Sequence, residues 1–196
     1  SYSKSKLKKI KSEVVSTVGK NHKLTQVMVD KIFSFAELGF HEVESSKYLT
    51  SILKFNSFEI EYGVSGIPTA WFAKWSNGDG PVIALGSDVD CIPKASQYPG
   101  VAYHKPMVEG APGHGEGHNS GIPVNITAAL AVQKVMKSEG IKGTLVVWPG
   151  IAEELVASKA WYVRDGLFNG VDMCIFTHVS SNLGVSWGQA RGTGLI

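Results

Sequence analysis

Hydrophobic residues recur with two different periods along the chain, and the alternation of these periods predicts an α/β fold. Helical spacing is found over residues 2–19, 23–38, 44–54, 123–138 and 155–165. Short apolar or alternating runs predict strands at residues 58–62, 69–75, 81–87, 143–148, 171–177 and 183–188. Because strands and helices alternate after residue 81, we expect a three-layer α/β/α domain with a mostly parallel mixed sheet.

The segment 94–122 follows neither period and is rich in glycine and proline, as functional loops in compact domains often are. Within it, residues 113–119 read Gly-His-Gly-Glu-Gly-His-Asn. Glycines let neighbouring side chains converge at little steric cost, and imidazole and carboxylate groups together bind zinc, manganese and similar divalent ions. A flexible loop with solvated polar side chains has the same composition, so this loop alone leaves both interpretations open.

Three predicted strands are followed directly by acids or a histidine. These residues are Asp88 and Asp90, Glu153 and Glu154, and His178. In open α/β sheets, ligands bind outside the carboxyl ends of the strands, so this convergence predicts an active site. One carboxylate there can hold a cation while its neighbour takes a proton from water. Each feature alone has a structural alternative, because acids also favour the first turn of a helix and single histidines are often structural.

Composition argues against two classes of partner. With 43% hydrophobic and 18% charged residues, the chain can bury a large core. A net charge of +2 is too small to predict nucleic-acid binding, and the lysines between residues 4 and 11 fit the solvated face of a helix. No apolar run reaches the roughly 20 residues that a membrane span requires. We therefore expect neither a nucleic acid nor a membrane as partner.

The two cysteines, Cys91 and Cys174, lie in or beside predicted buried strands, and their number does not indicate a disulfide framework. We interpret Cys91 as a buried small side chain rather than as a soft metal ligand. The chain begins at Ser1 without a methionine. We expect a cytoplasmic protein, or a periplasmic or exported one if a signal peptide was removed before Ser1.

The motifs, taken in order along the chain, resemble those of the dinuclear-metal amidohydrolases and carboxypeptidases, a family that includes aminoacylase, carboxypeptidase G and the auxin-conjugate hydrolases. The resemblance lies in residues 88–93, 113–118, 152–154 and 177–179. Within the family, residues 33–40, 111–119 and 182–188 resemble the aminobenzoyl-glutamate hydrolase branch. The similarity covers nearly the whole chain after the first helix, and four separated motifs agree.

This resemblance implies a role for each residue of the predicted site. Glu153 matches the general base of the family, and Asp88 matches an acid that orients a ligand or supports the metal cluster. The predicted metal ligands are Glu116, His118, Glu154 and His178.

Two positions depart from the family pattern. Glu116 stands where related amidohydrolases carry a cysteine, and Asn119 stands where they carry an aspartate. Because a carboxylate is a harder ligand than a thiolate, the first exchange shifts the metal preference toward manganese without excluding zinc. The roles of Asp90 and His114 stay open at this point.

The resemblance implies metal-dependent hydrolysis of an amide bond between an acyl or aroyl group and an amino acid, with two zinc or manganese ions in the complete enzyme. The expected partner is a small N-acyl or N-aroyl amino acid of the aminobenzoyl-glutamate type, and the expected assembly is a homodimer or hetero-oligomer. The alternative is a non-catalytic metal-binding or interaction module on the same fold. A doubly wound nucleotide binder is disfavoured, because residues 113–117 lack the G-x-G-x-x-G spacing.

Proteins of this family are considerably longer than 196 residues. The resemblance implies that residues 1–196 are the N-terminal part of the catalytic domain. It also implies that a lid or dimerisation domain, and later one more metal-binding histidine, follow the segment 192–196. On this expectation the chain alone lacks one ligand and the cover of its site, and it would be inactive by itself.

Overall fold

A mixed β-sheet with helices on both faces forms the core of the protein, which a computed structural model describes over residues 2–187. The helices are α1 (Lys4–Lys20), α2 (His22–Phe35), α3 (Val43–Phe55), α4 (His118–Glu139) and α5 (Ser158–Arg164). The strands are β1 (Glu59–Tyr62), β2 (Trp71–Ser76), β3 (Val82–Asp88), β4 (Thr144–Gly150) and β5 (Met173–Phe176). Short 3-10 turns lie at Val64–Gly66 and Glu153–Leu155.

The strands are arranged in the order β1-β2-β4-β3-β5. Strands β4, β3 and β5 are parallel to one another, whereas β1 and β2 are joined to this block by antiparallel pairing. The register places Asp88 beside Gly150 and Gly86 beside Phe176. The three parallel strands therefore end at one edge of the sheet, and the residues that follow them lie close together.

Alternate residues of the central strands enter two separate hydrophobic cores, as the two-residue period of a strand requires. On one face, Leu145 and Val147 of β4 pack with residues of α2, α3 and α4. On the other face, Val146 and Trp148 pack with Tyr162 of α5. These two cores separate three layers, so the predicted α/β/α fold is confirmed.

Helix α4 begins at His118, whereas the sequence pattern predicted its start at Pro123. The structure instead begins the helix after Gly117, whose φ of 74° turns the chain into the first residue of α4. As a result, His118 lies on a helix rather than in the preceding loop.

Two other predicted elements also differ. The helix expected over residues 155–165 is shorter and covers Ser158–Arg164, because the turn Glu153–Leu155 precedes it. The strand expected at 183–188 is wrong over 183–187, where alternating apolar side chains are exposed and pair with no strand within residues 2–187. Gly188 and the segment 192–196 lie outside the described residues.

The two cysteines are unpaired, and they differ in their surroundings. Cys91 is buried as predicted, but Cys174 is exposed, because β5 is an edge strand whose four residues are all exposed. None of the helices within residues 2–187 combines the length and apolar character that crossing a membrane requires.

Candidate metal centre

The carboxyl edge of the parallel strands gathers every residue that the sequence predicted for the site. Asp88 ends β3, Glu153 and Glu154 form the turn after β4, and His178 follows β5. Glu116 and His118 reach the same edge from the long loop and from the start of α4. Strand order thus brings together residues that are far apart in sequence.

His118 lies at the middle of this group and is almost fully buried. Its Nε2 is 3.2 Å from Nε2 of His178, with the two rings nearly perpendicular at 82°. The Oε2 atom of Glu116 is 3.9 Å from each of these nitrogens. Two imidazoles and a carboxylate therefore face one another across a space of a few ångströms.

The turn after β4 also approaches the His118 ring. Oε1 of Glu154 is 3.7 Å from Nδ1 of His118, and Oε2 of Glu153 is 4.0 Å from Nε2 of the same ring. Two groups of ligand atoms, each within 4.8 Å of one another, result from this arrangement. One comprises Glu116, His118 and Glu154, and the other comprises Asp88, His118 and His178.

The donor atoms of these groups fit a divalent cation. Oε1 of Glu154 is buried and accepts no hydrogen bond from any described residue. Burial, followed by the negative charge of Glu116, raises the pKa of the Glu154 carboxyl. A buried carboxylate oxygen without a donor is unfavourable, and a cation would satisfy it. Carboxylate and imidazole ligands are the set that zinc, manganese and similar ions accept.

Asp90, whose role the sequence left open, contacts two of the predicted ligands, His118 and Glu154. Its backbone carbonyl oxygen is 3.1 Å from Nδ1 of His118, and its carboxylate oxygen Oδ1 is 3.6 Å from the same nitrogen. The other carboxylate oxygen accepts a hydrogen bond of 3.0 Å from the Glu154 backbone N–H. Burial lowers the pKa of His118, but the bond with Asp90 and the charges of Asp88 and Asp90 outweigh it and raise this pKa to about 8.

Asp88 is paired with a residue that the sequence pattern did not reveal. Nζ of Lys159 lies 2.9 Å from Oδ1 of Asp88 and 3.9 Å from Oε1 of Glu153. It also lies over the ring of Phe176, at 4.7 Å from the centroid. Burial raises the pKa of Asp88, and the charge of Lys159 acts in the opposite direction. A lone lysine in a short helix carries no pattern that distinguishes it from a solvated one.

The strand end leaves room for the Asp88 carboxylate because residue 150 is glycine. A Cβ atom at position 150 would overlap Oδ1 of Asp88. Gly150 is paired with Asp88 in the register of β3 and β4, so the two strands can keep this pairing only with a residue that has no side chain there. The need for Gly150 follows from the register and is invisible in the sequence alone.

Three other residues of the motifs lie outside the cluster. Burial lowers the pKa of His114 to about 4, so its ring is neutral and donates through Nε2 to the Ile32 carbonyl oxygen at 3.0 Å. Asn119 donates to the Val29 carbonyl oxygen at 3.4 Å. His114 thus attaches the loop to α2, and Asn119 attaches the start of α4 to the same helix. Burial, followed by the charge of Asp90, raises the pKa of Cys91 to about 12, which agrees with its interpretation as a buried side chain.

Known proteins that resemble this chain are hydrolases and peptidases by name. The chain is 33% identical over 158 residues to a subunit of the p-aminobenzoyl-glutamate hydrolase of Escherichia coli, a match that covers 81% of this chain and 33% of that protein. It is 28% identical over 153 residues to Thermostable carboxypeptidase 2 of Saccharolobus solfataricus, covering 78% of this chain and 38% of the relative. No protein-family model matches the chain.

Among solved structures, a dinuclear metal-binding peptidase of the M20 family from Bacillus subtilis superposes with a TM-score of 0.68 at 25% identity. This match covers 85% of the present chain and 45% of that structure. The chain spans about a third of the length of the curated relatives it matches and less than half of this structure. The similarities confirm the family resemblance that the motifs predicted.

Proposed function

We propose that this chain, a relative of the dinuclear-metal amidohydrolases and carboxypeptidases, is the metal-binding N-terminal part of a catalytic domain that hydrolyses an amide bond between an acyl or aroyl group and an amino acid. The observation that carries the proposal is the meeting of two imidazoles and several carboxylates at one sheet edge. The name of the Escherichia coli relative makes an aminobenzoyl-glutamate type of substrate the first to test.

Four residues would hold the metal, namely Glu116, His118, Glu154 and His178. Their ligand atoms are carboxylate oxygens and imidazole nitrogens, and we propose manganese or zinc as the ion. A divalent ion supplies positive charge that polarises the amide carbonyl and lowers the pKa of a water molecule. Asp88 converges on the same two histidines and is the carboxylate available to a second ion, whose other ligands would come from outside this set because each imidazole Nε2 binds one ion.

Glu153 is the general base in this proposal. It belongs to neither group of converging ligand atoms, yet its carboxylate lies beside His118 and is one-third exposed. From this position it can take a proton from the attacking water. The water oxygen then bonds to the carbonyl carbon, the carbon–nitrogen bond breaks, and Glu153 delivers the proton to the leaving nitrogen. The products are a carboxylic acid and an amino acid.

Asp88 and Lys159 form an ion pair beside Glu153. Their ion pair sets a cation beside the base, at 3.9 Å from the Glu153 carboxylate. Lys159 is positioned to attract the negatively charged carboxylate of an amino-acid substrate, because its side chain is 39% exposed. Asp88 holds this lysine in place through a carboxylate that is almost completely buried.

The proposal is tested by loading the purified chain with Mn²⁺ or Zn²⁺, measuring bound metal by elemental analysis, and assaying hydrolysis of p-aminobenzoyl-glutamate and of N-acetyl amino acids. We expect this chain to bind the metal but to show little turnover, because the resemblance places one ligand and the lid after it. A form extended C-terminally with those parts should show turnover that a chelator abolishes and added metal restores. Failure to bind either ion would refute the metal centre. Stoichiometric metal in the extended form without hydrolysis of any of these amides would refute the hydrolase and favour the non-catalytic metal-binding module.

A further inference from the structure

A further buried carboxylate, beyond Asp88 and Asp90, lies near the candidate metal centre at the start of α3. Glu42 precedes that helix and its side chain is fully buried. Oε1 accepts a hydrogen bond of 2.8 Å from the Ala152 backbone N–H, and Oε2 accepts one of 3.1 Å from the Thr69 hydroxyl. None of the ion pairs within residues 2–187 includes Glu42.

Such a carboxylate is unfavourable for stability by itself. Removing a charge from water without a cationic partner costs free energy, and burial raises the pKa of Glu42 for this reason. An apolar side chain of similar volume would avoid this penalty. An apolar side chain could not accept a hydrogen bond from the Ala152 N–H, however. We therefore infer that the carboxylate serves to hold the turn that begins at Ala152.

That turn carries Glu153 and Glu154, and its backbone is strained at both ends. Ala152 has φ 53° and Val156 has φ 52°, both in the left-handed region that is unfavourable for residues other than glycine. Conformations of this kind persist only where surrounding contacts enforce them. Within the turn, the Ala152 carbonyl oxygen accepts the N–H groups of Leu155 and Ala157. The N–H groups of Ala152 and Glu154 are satisfied from outside it.

Two carboxylates supply the external contacts. Glu42 accepts the N–H of Ala152, and Asp90 accepts the N–H of Glu154. The two accepted groups belong to the residues on either side of Glu153. The backbone on both sides of this residue is thus held by a buried acceptor.

The segment before α3 is shaped to approach the turn closely. A Cβ atom at Gly39 would lie 3.0 Å from Cα of Ala152 and 3.2 Å from Oδ2 of Asp90. The segment that ends in Glu42 therefore packs directly against the turn and against the Asp90 carboxylate.

We propose that Glu42 is a positioning residue for the metal centre. Its carboxylate fixes the Ala152 N–H and, together with Asp90, sets the direction in which Glu153 and Glu154 leave the end of β4. Among residues 2–187, Glu42 makes no hydrogen bond or ion pair with a proposed metal ligand, so it acts through the backbone of the turn. The roles of the two glutamates rest on the proposed function.

Two substitutions separate the geometry of Glu42 from its charge. Glu42→Gln keeps an oxygen at the same distance for the Ala152 N–H, and its amide can donate to the Thr69 hydroxyl. Glu42→Asp keeps the charge but is shorter by one methylene group, so its oxygen is withdrawn from the Ala152 N–H. The matched control is Glu37→Asp, because Glu37 lies in the same segment and accepts the N–H groups of Glu44 and Ser45 instead.

The readout is the dissociation constant for Mn²⁺ by isothermal titration calorimetry, with thermal unfolding of the metal-free protein measured alongside. We expect Glu42→Asp to weaken Mn²⁺ binding at least tenfold and Glu42→Gln to stay within threefold of the original chain. Glu37→Asp should lower the unfolding temperature but leave the Mn²⁺ constant within threefold. If the chain turns over substrate, Glu42→Asp should lower kcat more than it changes KM.

The outcomes distinguish this inference from the proposed function. Metal binding by Glu42→Asp that equals the original chain would overturn the positioning role while leaving the metal centre intact. A tenfold loss in Glu42→Gln would overturn it as well, and this result can be obtained even if Glu42→Asp does not fold. Absence of metal binding by the original chain would instead refute the proposed function, and the positioning role with it.

Discussion

The metal centre has a buried side and an exposed side, and the two are built differently. Asp88, Asp90 and His118 have side chains that are at most 3% exposed, and they lie on or directly beside regular elements. Glu116 and His178 are 52% and 43% exposed and belong to connecting segments. Hydrogen bonds within the protein fix the buried side chains. The positions of the exposed side chains depend instead on a bound metal ion or substrate.

The buried residues position the site, whereas the exposed residues meet water and substrate. Groups that must keep one direction gain from burial, because a low-dielectric surrounding strengthens each hydrogen bond that they make. Groups that must meet water and substrate cannot be enclosed in this way. We therefore expect substitutions on the buried side to change metal affinity and stability, and substitutions on the exposed side to change turnover.

The largest effect is expected from Glu153→Gln, because this carboxylate is one-third exposed and can meet water and substrate. The amide cannot accept a proton, so turnover by the complete, metal-loaded form of the enzyme should fall by roughly 100-fold to 10,000-fold while metal content stays the same. Steady-state kinetics and elemental analysis measure the two quantities. Glu61→Gln, an exposed glutamate on β1, serves as the control. Full activity in a metal-loaded Glu153→Gln protein would show that another group is the base.

The next effect compares one histidine from each side. His118 belongs to both groups of ligand atoms and His178 to one, so His118→Ala should weaken Mn²⁺ binding by about 100-fold and His178→Ala by about tenfold. Calorimetric titration of the metal-free proteins gives both constants, with the exposed loop residue His104→Ala as control. Equal losses of Mn²⁺ affinity in the two variants would show that the buried histidine contributes no more to metal binding than the exposed one.

A pH-dependent effect is expected where the loop is attached to α2. Burial keeps His114 neutral in the folded protein, with a pKa of about 4, whereas the unfolded chain takes up a proton near pH 6.5. The stability that His114 contributes is therefore present above pH 6.5 and is lost as the pH falls toward 4. At pH 5 the loss relative to pH 7.5 should be about 2 kcal/mol.

Urea unfolding of the original chain and of His114→Gln at both pH values measures this loss. The glutamine amide can still donate to the Ile32 carbonyl oxygen, but it does not titrate. Subtracting the unfolding free energy of His114→Gln from that of the original chain removes the contribution of all other titrating groups. If this difference in unfolding free energy is the same at pH 5 and pH 7.5, the lowered pKa of His114 is contradicted.

The smallest effect is expected at the boundary between the two sides. Lys159 competes with any cation for Asp88, so Lys159→Met should strengthen binding of a second Mn²⁺ ion by about threefold to tenfold, the range expected for a partly exposed ion pair. The matched control is Lys134→Met, which removes an exposed lysine elsewhere. Weaker binding of the second ion would mean that Lys159 supports this position instead of competing for it.

The sequence predicted the parts of the fold that follow from local periodicity. The spacing of apolar residues placed the strands that end before Asp88, Glu153 and His178, and the rule for carboxyl ends then predicted that these residues meet. The four predicted ligands lie within this cluster, and their assignment as metal ligands stays a prediction.

Other features depend on contacts between distant segments, which periodicity does not encode. Glu42 and Lys159 have no distinguishing sequence pattern, and only the fold brings them to the turn after β4. The alternating residues 183–187 show the opposite error, because a strand pattern does not form a strand without a neighbour to pair with.

The hydrogen bond between Glu42 and Ala152 also bears on the order in which the protein folds. Its two residues are 110 positions apart, so forming it closes a loop that includes more than half of the chain. Contacts of such long range form slowly, after local helices and hairpins, because the entropy of loop closure must be overcome first. The turn that presents Glu153 and Glu154 should therefore acquire its final shape among the last steps of folding. A partly folded chain would then have a sheet edge with histidines on it but no high-affinity site, and this delay limits the capture of metal ions before the native ligands are in place.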